Sequence, residues 1–153
     1  KTNIDDLKSI ISVLNPNNKS GKITLIARFG YGNVEKYLPN MISNIDMEGF
    51  NVIWSCDPMH GNTRISNNNY KTRTFESIVG ELKEHISIHK GKGTTLGGVH
   101  LEMTGQDVTE CIGGVDNVEE LELSKSYQTL CDPRLNANQA IEMAFLISDN
   151  LRK

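Results

Sequence analysis

His60, Glu102 and Asp132 are the residues of this sequence best suited to hold a divalent cation, one imidazole and two carboxylates from three separate stretches. His60 lies in Val52-Ile53-Trp54-Ser55-Cys56-Asp57-Pro58-Met59-His60-Gly61-Asn62, where an apolar run stops abruptly. Asn51 to Trp54 reads as a short buried strand that Pro58 and Gly61 forbid from continuing, so Cys56, Asp57, His60 and Asn62 are expected to project from a fixed rim. Glu102 occupies the same kind of place in Gly98-Val99-His100-Leu101-Glu102-Met103-Thr104-Gly105, where an apolar strand gives way to a Thr-Gly turn. Asp132 sits in a third polar knot, Cys131-Asp132-Pro133-Arg134-Leu135-Asn136, ahead of the last helix. Three rims offering this mixed donor set suit Mn, Fe, Co or Zn better than a structural all-sulfur site would.

Each residue also has a plainer reading. A loop imidazole can simply tie up a backbone carbonyl, and an Asp before a proline can start a turn. Glu102 is harder to explain away, because burying a carboxylate without a cation is costly. Its plainer partner is Arg28 or Arg134. Arg28, at a strand end before Gly30 and Gly32, could fork onto a carboxylate or phosphate of a ligand, or form an internal ion pair. Lys71 and Arg73 read either as a phosphate clamp or as solvated charges. Gly30-Tyr31-Gly32 fails as a dinucleotide loop, since Glu35 stands where the third glycine is required. Among Cys56, Cys111 and Cys131, a nucleophile would need a positioned base, and His60 near Cys56 lacks an orienting partner in sequence. Cys131 is a soft neighbour of Asp132, where oxidation is expected to disturb a metal site.

The elements that must position these groups alternate. Thr2 reads as an N-cap, and Leu7, Ile10, Ile11 and Leu14 follow at helical spacing until Asn15-Pro16. Ile23 to Ala27 is β-branched and nearly continuously apolar, as a strand covered on both faces would be. Val34 to Met47 has a helical stripe ending near Gly49, and Asn51 to Trp54 is the second strand. A polar loop from Cys56 to Lys71 is long enough to be functional or disordered. Phe75 to Ile86 is the next helical stripe, with Ile88 and His89 near its end. Gly91-Lys92-Gly93 reads as a turn into the strand at Val99-His100-Leu101. Between Thr104 and Leu130 only Val118 to Leu123 suggests a short helix. Asn136 or Asn138 caps a closing helix that ends on Arg152 and Lys153. Alternation of this kind implies an α/β fold with parallel strands and right-handed crossovers, ligands gathering at the strands' C-terminal ends. Three strands cannot close a barrel, and an open sheet this thin exposes edges that invite self-association.

The totals fit one domain: 153 residues, 37 % apolar and 23 % charged. A net charge of −3 and a pI near 5.8 provide no cationic field for a nucleic acid. Neither a membrane-spanning apolar run nor the layout of a signal peptide is present, and the odd cysteine count has no CxxC spacing. A cytoplasmic protein without membrane or nucleic-acid partners is therefore expected.

The same blocks carry a family resemblance. Trp54-Ser55-Cys56-Asp57-Pro58-Met59-His60-Gly61-Asn62-Thr63, Lys71-Thr72-Arg73, His100-Leu101-Glu102-Met103-Thr104-Gly105-Gln106 with Val108-Thr109-Glu110-Cys111-Ile112-Gly113-Gly114, and Cys131-Asp132-Pro133-Arg134-Leu135-Asn136 resemble the type II 3-deoxy-D-arabino-heptulosonate 7-phosphate synthases. The match runs from the Asn15-Pro16 turn to Leu151-Arg152-Lys153. It implies that residues 1–153 form a single partial domain, the last three strand-helix units of a (β/α)8 TIM barrel preceded by the end of its fifth helix. It also implies a transferase that condenses phosphoenolpyruvate with erythrose 4-phosphate and releases phosphate, opening the shikimate pathway to the aromatic amino acids. His60, Glu102 and Asp132 match three of the family's four metal ligands, and Arg28, in Leu25-Ile26-Ala27-Arg28-Phe29-Gly30, matches an arginine that binds phosphoenolpyruvate. The metal would be Mn, Co, Fe or Zn, acting as a Lewis acid on the aldehyde oxygen of erythrose 4-phosphate.

The departures from the family pattern are equally specific. The fourth metal ligand, a cysteine from an early strand, has no counterpart, and Cys56, Cys111 and Cys131 lie in the wrong blocks to replace it. The early arginine, the glutamate-arginine pair and the strand-five lysine of the phosphoenolpyruvate site are also absent. Half a site implies a chain inactive by itself, working with the missing N-terminal part of the barrel or a complementary chain, with a homo-oligomer as the expected assembly. The readings that compete with a synthase are a non-catalytic half-barrel serving as an assembly or regulatory partner, and a metal-dependent aldolase or hydrolase with a similar rim.

Overall fold

Strands β1 (Thr24–Ala27), β2 (Ile53–Cys56) and β5 (Leu96–Val99) form a parallel sheet in the order β1-β2-β5. The structure is a computed structural model that describes residues 3–151. The register pairs Ala27 with Cys56 and Cys56 with Val99, so the three C-terminal ends stand level. Two further ladder bonds, from Asp57 N to Ala27 O (2.9 Å) and from His100 N to Cys56 O (2.7 Å), carry the alignment one step beyond the strands. Arg28, Asp57 and His100 consequently follow the three strand ends side by side. Past β5, a parallel bridge joins Met103 to Leu135, with Leu135 N donating to Glu102 O and Thr104 N to Leu135 O at 2.9 Å each. That bridge draws the distant Asp132 knot to the same rim as Glu102.

Helices separate the strands. In α1 (Ile4–Leu14) the Asn3 side chain accepts from Asp5 N and acts as the cap, whereas the expected cap, Thr2, lies outside the described residues. The bounds of α2 (Val34–Met47) are those its stripe predicts, and it buries Val34, Leu38, Ile42 and Ile45 against Trp54 and Ala27. Helix α3 (Phe75–Lys92) runs on through the glycine-rich segment read as a turn, and stops only where Gly93 adopts a left-handed conformation at φ 69°. It packs Phe75, Ile78 and Leu82 with Cys56, Leu135 and Met143 in a second core. Asn136 caps α4 (Ala137–Leu151): its side-chain Oδ1 accepts from Gln139 N at 2.9 Å while Gln139 Oε1 accepts from Asn136 N at 3.1 Å. Arg152 and Lys153, expected at its end, lie outside the described residues.

Several expectations are corrected. The second strand sits two residues later than its apolar run suggests, because Ser55 is tolerated on its half-buried face. Cys56 is therefore the strand's last residue, fully buried in the core and not on the rim. The third strand ends at Val99, leaving Leu101 and Glu102 beyond it. Strand β1 is not covered on both faces, since Ile26 is 55 % exposed and no described strand pairs with its outer edge. The polar stretch after Cys56 is not a plain loop. It holds a 3₁₀ turn at His60–Asn62 and an antiparallel hairpin of β3 (Arg64–Ile65) and β4 (Lys71–Thr72). The short helix expected at Val118 to Leu123 is a 3₁₀ helix at Glu120–Lys125. Among the described residues no helix is long and apolar enough to cross a membrane.

Candidate metal centre

The rim is built around Asp57, the first residue after β2 and fully buried. Its Oδ1 accepts from Met59 N (3.0 Å) and His60 N (3.2 Å), closing the turn that Pro58 begins. Its Oδ2 lies 2.8 Å from His60 Nδ1 and 2.7 Å from a terminal nitrogen of Arg28. Burial pushes this carboxyl upward, but the His60 ring and N–H, Arg28 and Met59 N–H outweigh it and hold the group below its usual range. An ionised carboxylate only accepts, so the proton of this bond sits on Nδ1 of His60, and the neutral tautomer that carries it there offers Nε2 as its ligating atom.

Nε2 points at Glu102, with Oε1 at 3.3 Å. A cation held between this nitrogen and the carboxylate oxygen would bond to both. Glu102 Oε2 binds the Arg73 guanidinium, which is itself fully buried. Arg73 also donates to Thr63 Oγ1 (2.9 Å) and to Pro133 O, and stands 3.6 Å from Asp132 Oδ1. Lys71 Nζ reaches the same Asp132 oxygen at 2.6 Å. These contacts make Arg73 the buried counter-charge of two converging carboxylates, neither a phosphate clamp nor a solvated charge.

Donor atoms of His60, Glu102 and Asp132 all lie within 4.8 Å of one another, on side chains that are about a quarter exposed. The arrangement fits a divalent cation: one imidazole lone pair and two carboxylates converge while solvent still reaches them, and three protein donors leave coordination positions open for a substrate. A second triad, Asp57, His60 and His100, meets the same distance limit, but Asp57 already accepts from five directions.

Arg28, Lys71 and Arg73 thus surround the three expected ligands. The plainer alternative for Glu102, an ion pair with Arg28 or Arg134, does not form. Arg28 pairs with Asp57, leaving its guanidinium side chain 49 % exposed beside the site, and Arg134 pairs with Glu110. The thiols separate by burial. Cys56 and Cys111 are enclosed, and desolvation pushes Cys111 up to about 12 and Cys56 higher still, which removes both as nucleophiles. Cys131 is exposed, its Sγ 3.5 Å from Asp132 Oδ2.

Two buried carboxylates that sequence reasoning passed over hold the rim in shape. Glu81 of α3 accepts from Phe29 N (2.9 Å), Gly30 N (3.1 Å) and Asn62 Nδ2 (2.7 Å), tying the loop after β1 to the loop after β2. The two loops touch at Gly30 and Gly61, where a Cβ on Gly61 would fall 2.5 Å from Gly30 N. Glu110 grips the Asp132 knot, accepting from Gln128 N, Thr129 N and Arg134 N and forming a two-pronged pair with the Arg134 guanidinium. The signal available in sequence was an acid between apolar neighbours, Val108 and Cys111, or on the helical stripe of α3.

A family model described as the class-II DAHP synthetase family matches residues 1–148. The chain is 47 % identical over 139 residues to the phospho-2-dehydro-3-deoxyheptonate aldolase AroG of Mycolicibacterium smegmatis, covering 91 % of this chain and 30 % of that protein. It is 46 % identical over 154 residues to the phospho-2-dehydro-3-deoxyheptonate aldolase of Neurospora crassa, covering 99 % of this chain and 32 % of the relative. A Streptomyces coelicolor protein of the same name is 39 % identical over 151 residues, with coverages of 99 % and 34 %. The chain therefore spans about a third of the length of these curated relatives.

Proposed function

The chain belongs to the class-II DAHP synthetase family, and from that membership we propose that it supplies part of the active site of a 3-deoxy-D-arabino-heptulosonate 7-phosphate synthase. The reaction is the condensation of phosphoenolpyruvate with erythrose 4-phosphate, releasing phosphate, at the entry to the shikimate pathway. Its three parallel strands, neighbours in chain order with level C-terminal ends, are read as the last three units of a (β/α)8 barrel. The remaining units belong to further sequence or to a complementary chain, in keeping with the third of each relative that is matched.

The observation that carries this reading is the meeting of His60, Glu102 and Asp132 beside the half-exposed Arg28 at one end of a parallel sheet. A Mn, Co, Fe or Zn ion held there would supply Lewis acidity toward an aldehyde oxygen. The chain's own residues do the rest of what this segment contributes. Arg28 offers a planar fork to the anionic groups of phosphoenolpyruvate and fixes its approach, which removes much of the entropy cost of bringing two substrates together. Asp57 accepts from Nδ1 of His60 and so turns the other ring nitrogen, Nε2, toward the carboxylates. Arg73, buried beneath the two, sets one guanidinium against Glu102 and 3.6 Å from Asp132, a shared counter-charge for carboxylates at close range.

Half a site should not turn over. The purified 153-residue chain is expected to show no metal-dependent loss of phosphoenolpyruvate, and mixing with the complementary N-terminal portion of a family member should restore it. Robust turnover by the chain alone, or none from the mixture when both parts bind each other, would refute the reading.

A further inference from the structure

We propose that Asp57 is the positioning residue that joins the cation site to the anion site, setting the tautomer of His60 and the aim of Arg28 with one carboxylate. The proposal extends the synthase reading and rests on it for the identity of the cation and the anion. Every hydrogen bond of this fully buried group goes to protein: the N–H groups of Met59 and His60, the His60 ring, and Nε and a terminal nitrogen of Arg28 at 2.8 and 2.7 Å. No acceptor direction is left for a ligand, so the residue acts only through its neighbours.

The two neighbours face different ligands. Acceptance from Nδ1 commits the neutral imidazole to expose its Nε2 lone pair toward Glu102 and Asp132. Acceptance from Arg28 holds the half-exposed guanidinium on the rim of the adjacent strand, in line with Asp57 through the Ala27–Cys56 register. Because one carboxylate supports both, an ion that draws on His60 also alters the support given to Arg28, and the coupling must be reciprocal in binding.

A residue that merely closed the turn would need only its bonds to the N–H groups of Met59 and His60. Asp57→Asn separates the roles. Its amide oxygen can keep those turn bonds, but its NH2 confronts two donors, Arg28 and the Nδ1 proton. The imidazole should then move its proton to Nε2, away from productive ligation.

The test is the pair of imidazole ¹⁵N shifts of His60 in the ¹⁵N-labelled chain, recorded with the ring neutral and no metal added. Wild type is expected to show Nδ1 protonated and Nε2 bare, and Asp57→Asn the reverse. An Nε2-protonated ring in the wild type, or an unchanged tautomer in a folded variant, overturns the proposal without reference to activity. In the reconstituted enzyme the variant should bind Mn²⁺ about ten- to a hundredfold more weakly and raise KM for phosphoenolpyruvate as well as lowering kcat. A normal KM with unaltered metal affinity contradicts the shared role. If the tautomer reverses while wild-type chain and enzyme bind no Mn²⁺, the positioning of His60 stands and the synthase reading fails.

Discussion

Arg73 decides how two carboxylates can face each other at this rim. Its side chain is fully buried while Glu102 and Asp132 keep 26 % and 21 % of theirs exposed, so the pairing is neither a surface bridge nor a fully desolvated one. Removing one partner of a buried pair typically costs about 3–5 kcal/mol, and water at the carboxylates should bring this case to the lower end, about 3 kcal/mol. Arg73→Met is therefore expected to lose about that much stability in denaturant without metal. Added Mn²⁺ should recover more stability in the variant than in wild type, because the ion replaces the missing charge. Equal metal responses would mean that the carboxylates do not share a cation. His60 and Glu102 could be picked out in sequence because each follows an apolar run, and Asp132 because it sits in a polar knot ahead of the last helix. Arg73 could not, since its burial comes from Pro133 and Thr63, contacts set by tertiary structure.

At the scale of elements, Glu81 and Glu110 do similar work with opposite pH signatures. Desolvation raises the Glu81 carboxyl despite the N–H groups of Phe29 and Gly30 and the Asn62 amide. Its favourable contribution is thus full below the ordinary value of 4.5 and is lost as pH rises through its higher folded value. For Glu110, burial also pushes upward, but Arg134 and the backbone donors prevail and the carboxyl lies below 4.5. Its contribution is full above 4.5 and is lost as pH falls through the lower folded value. Glu110→Gln should accordingly flatten the acid limb of stability against pH. At neutral pH it should cost about 2–4 kcal/mol, since Arg134 loses its buried counter-charge, with amide exchange rising first in the segment 128–134. An acid limb as steep as that of wild type would show that the Asp132 knot is held by something else. Periodicity made the helices legible, as the bounds of α2 attest. The strand shifts at Cys56 and Val99 were hidden because four-residue strands carry too few residues to fix a register, and β1 departs from its pattern because its outer face lacks the cover its composition anticipates.

Across the whole molecule, the unpaired edge of β1 and the exposed Ile26 sit on one flank while Ile141 and Phe145 of α4 are exposed, at 56 % and 68 %. An open sheet edge and exposed apolar helix residues of this kind are surfaces on which a further strand or helix can pack. Alternation in the sequence was enough to reveal a parallel α/β arrangement, whereas the (β/α)8 barrel implied by the resemblance needs more strands than the three of this sheet. The central claim is that His60, Glu102 and Asp132 share one ion, and the location of that ion tests it most directly. In crystals of the chain assembled with the N-terminal portion of a family member and loaded with Zn²⁺, an anomalous difference map at the zinc edge should contain one strong peak. It should lie about 2.0–2.2 Å from His60 Nε2 and from a carboxylate oxygen of Glu102 and of Asp132. A peak lodged instead among Asp57, His60 and His100, or no peak at this rim, would contradict the account.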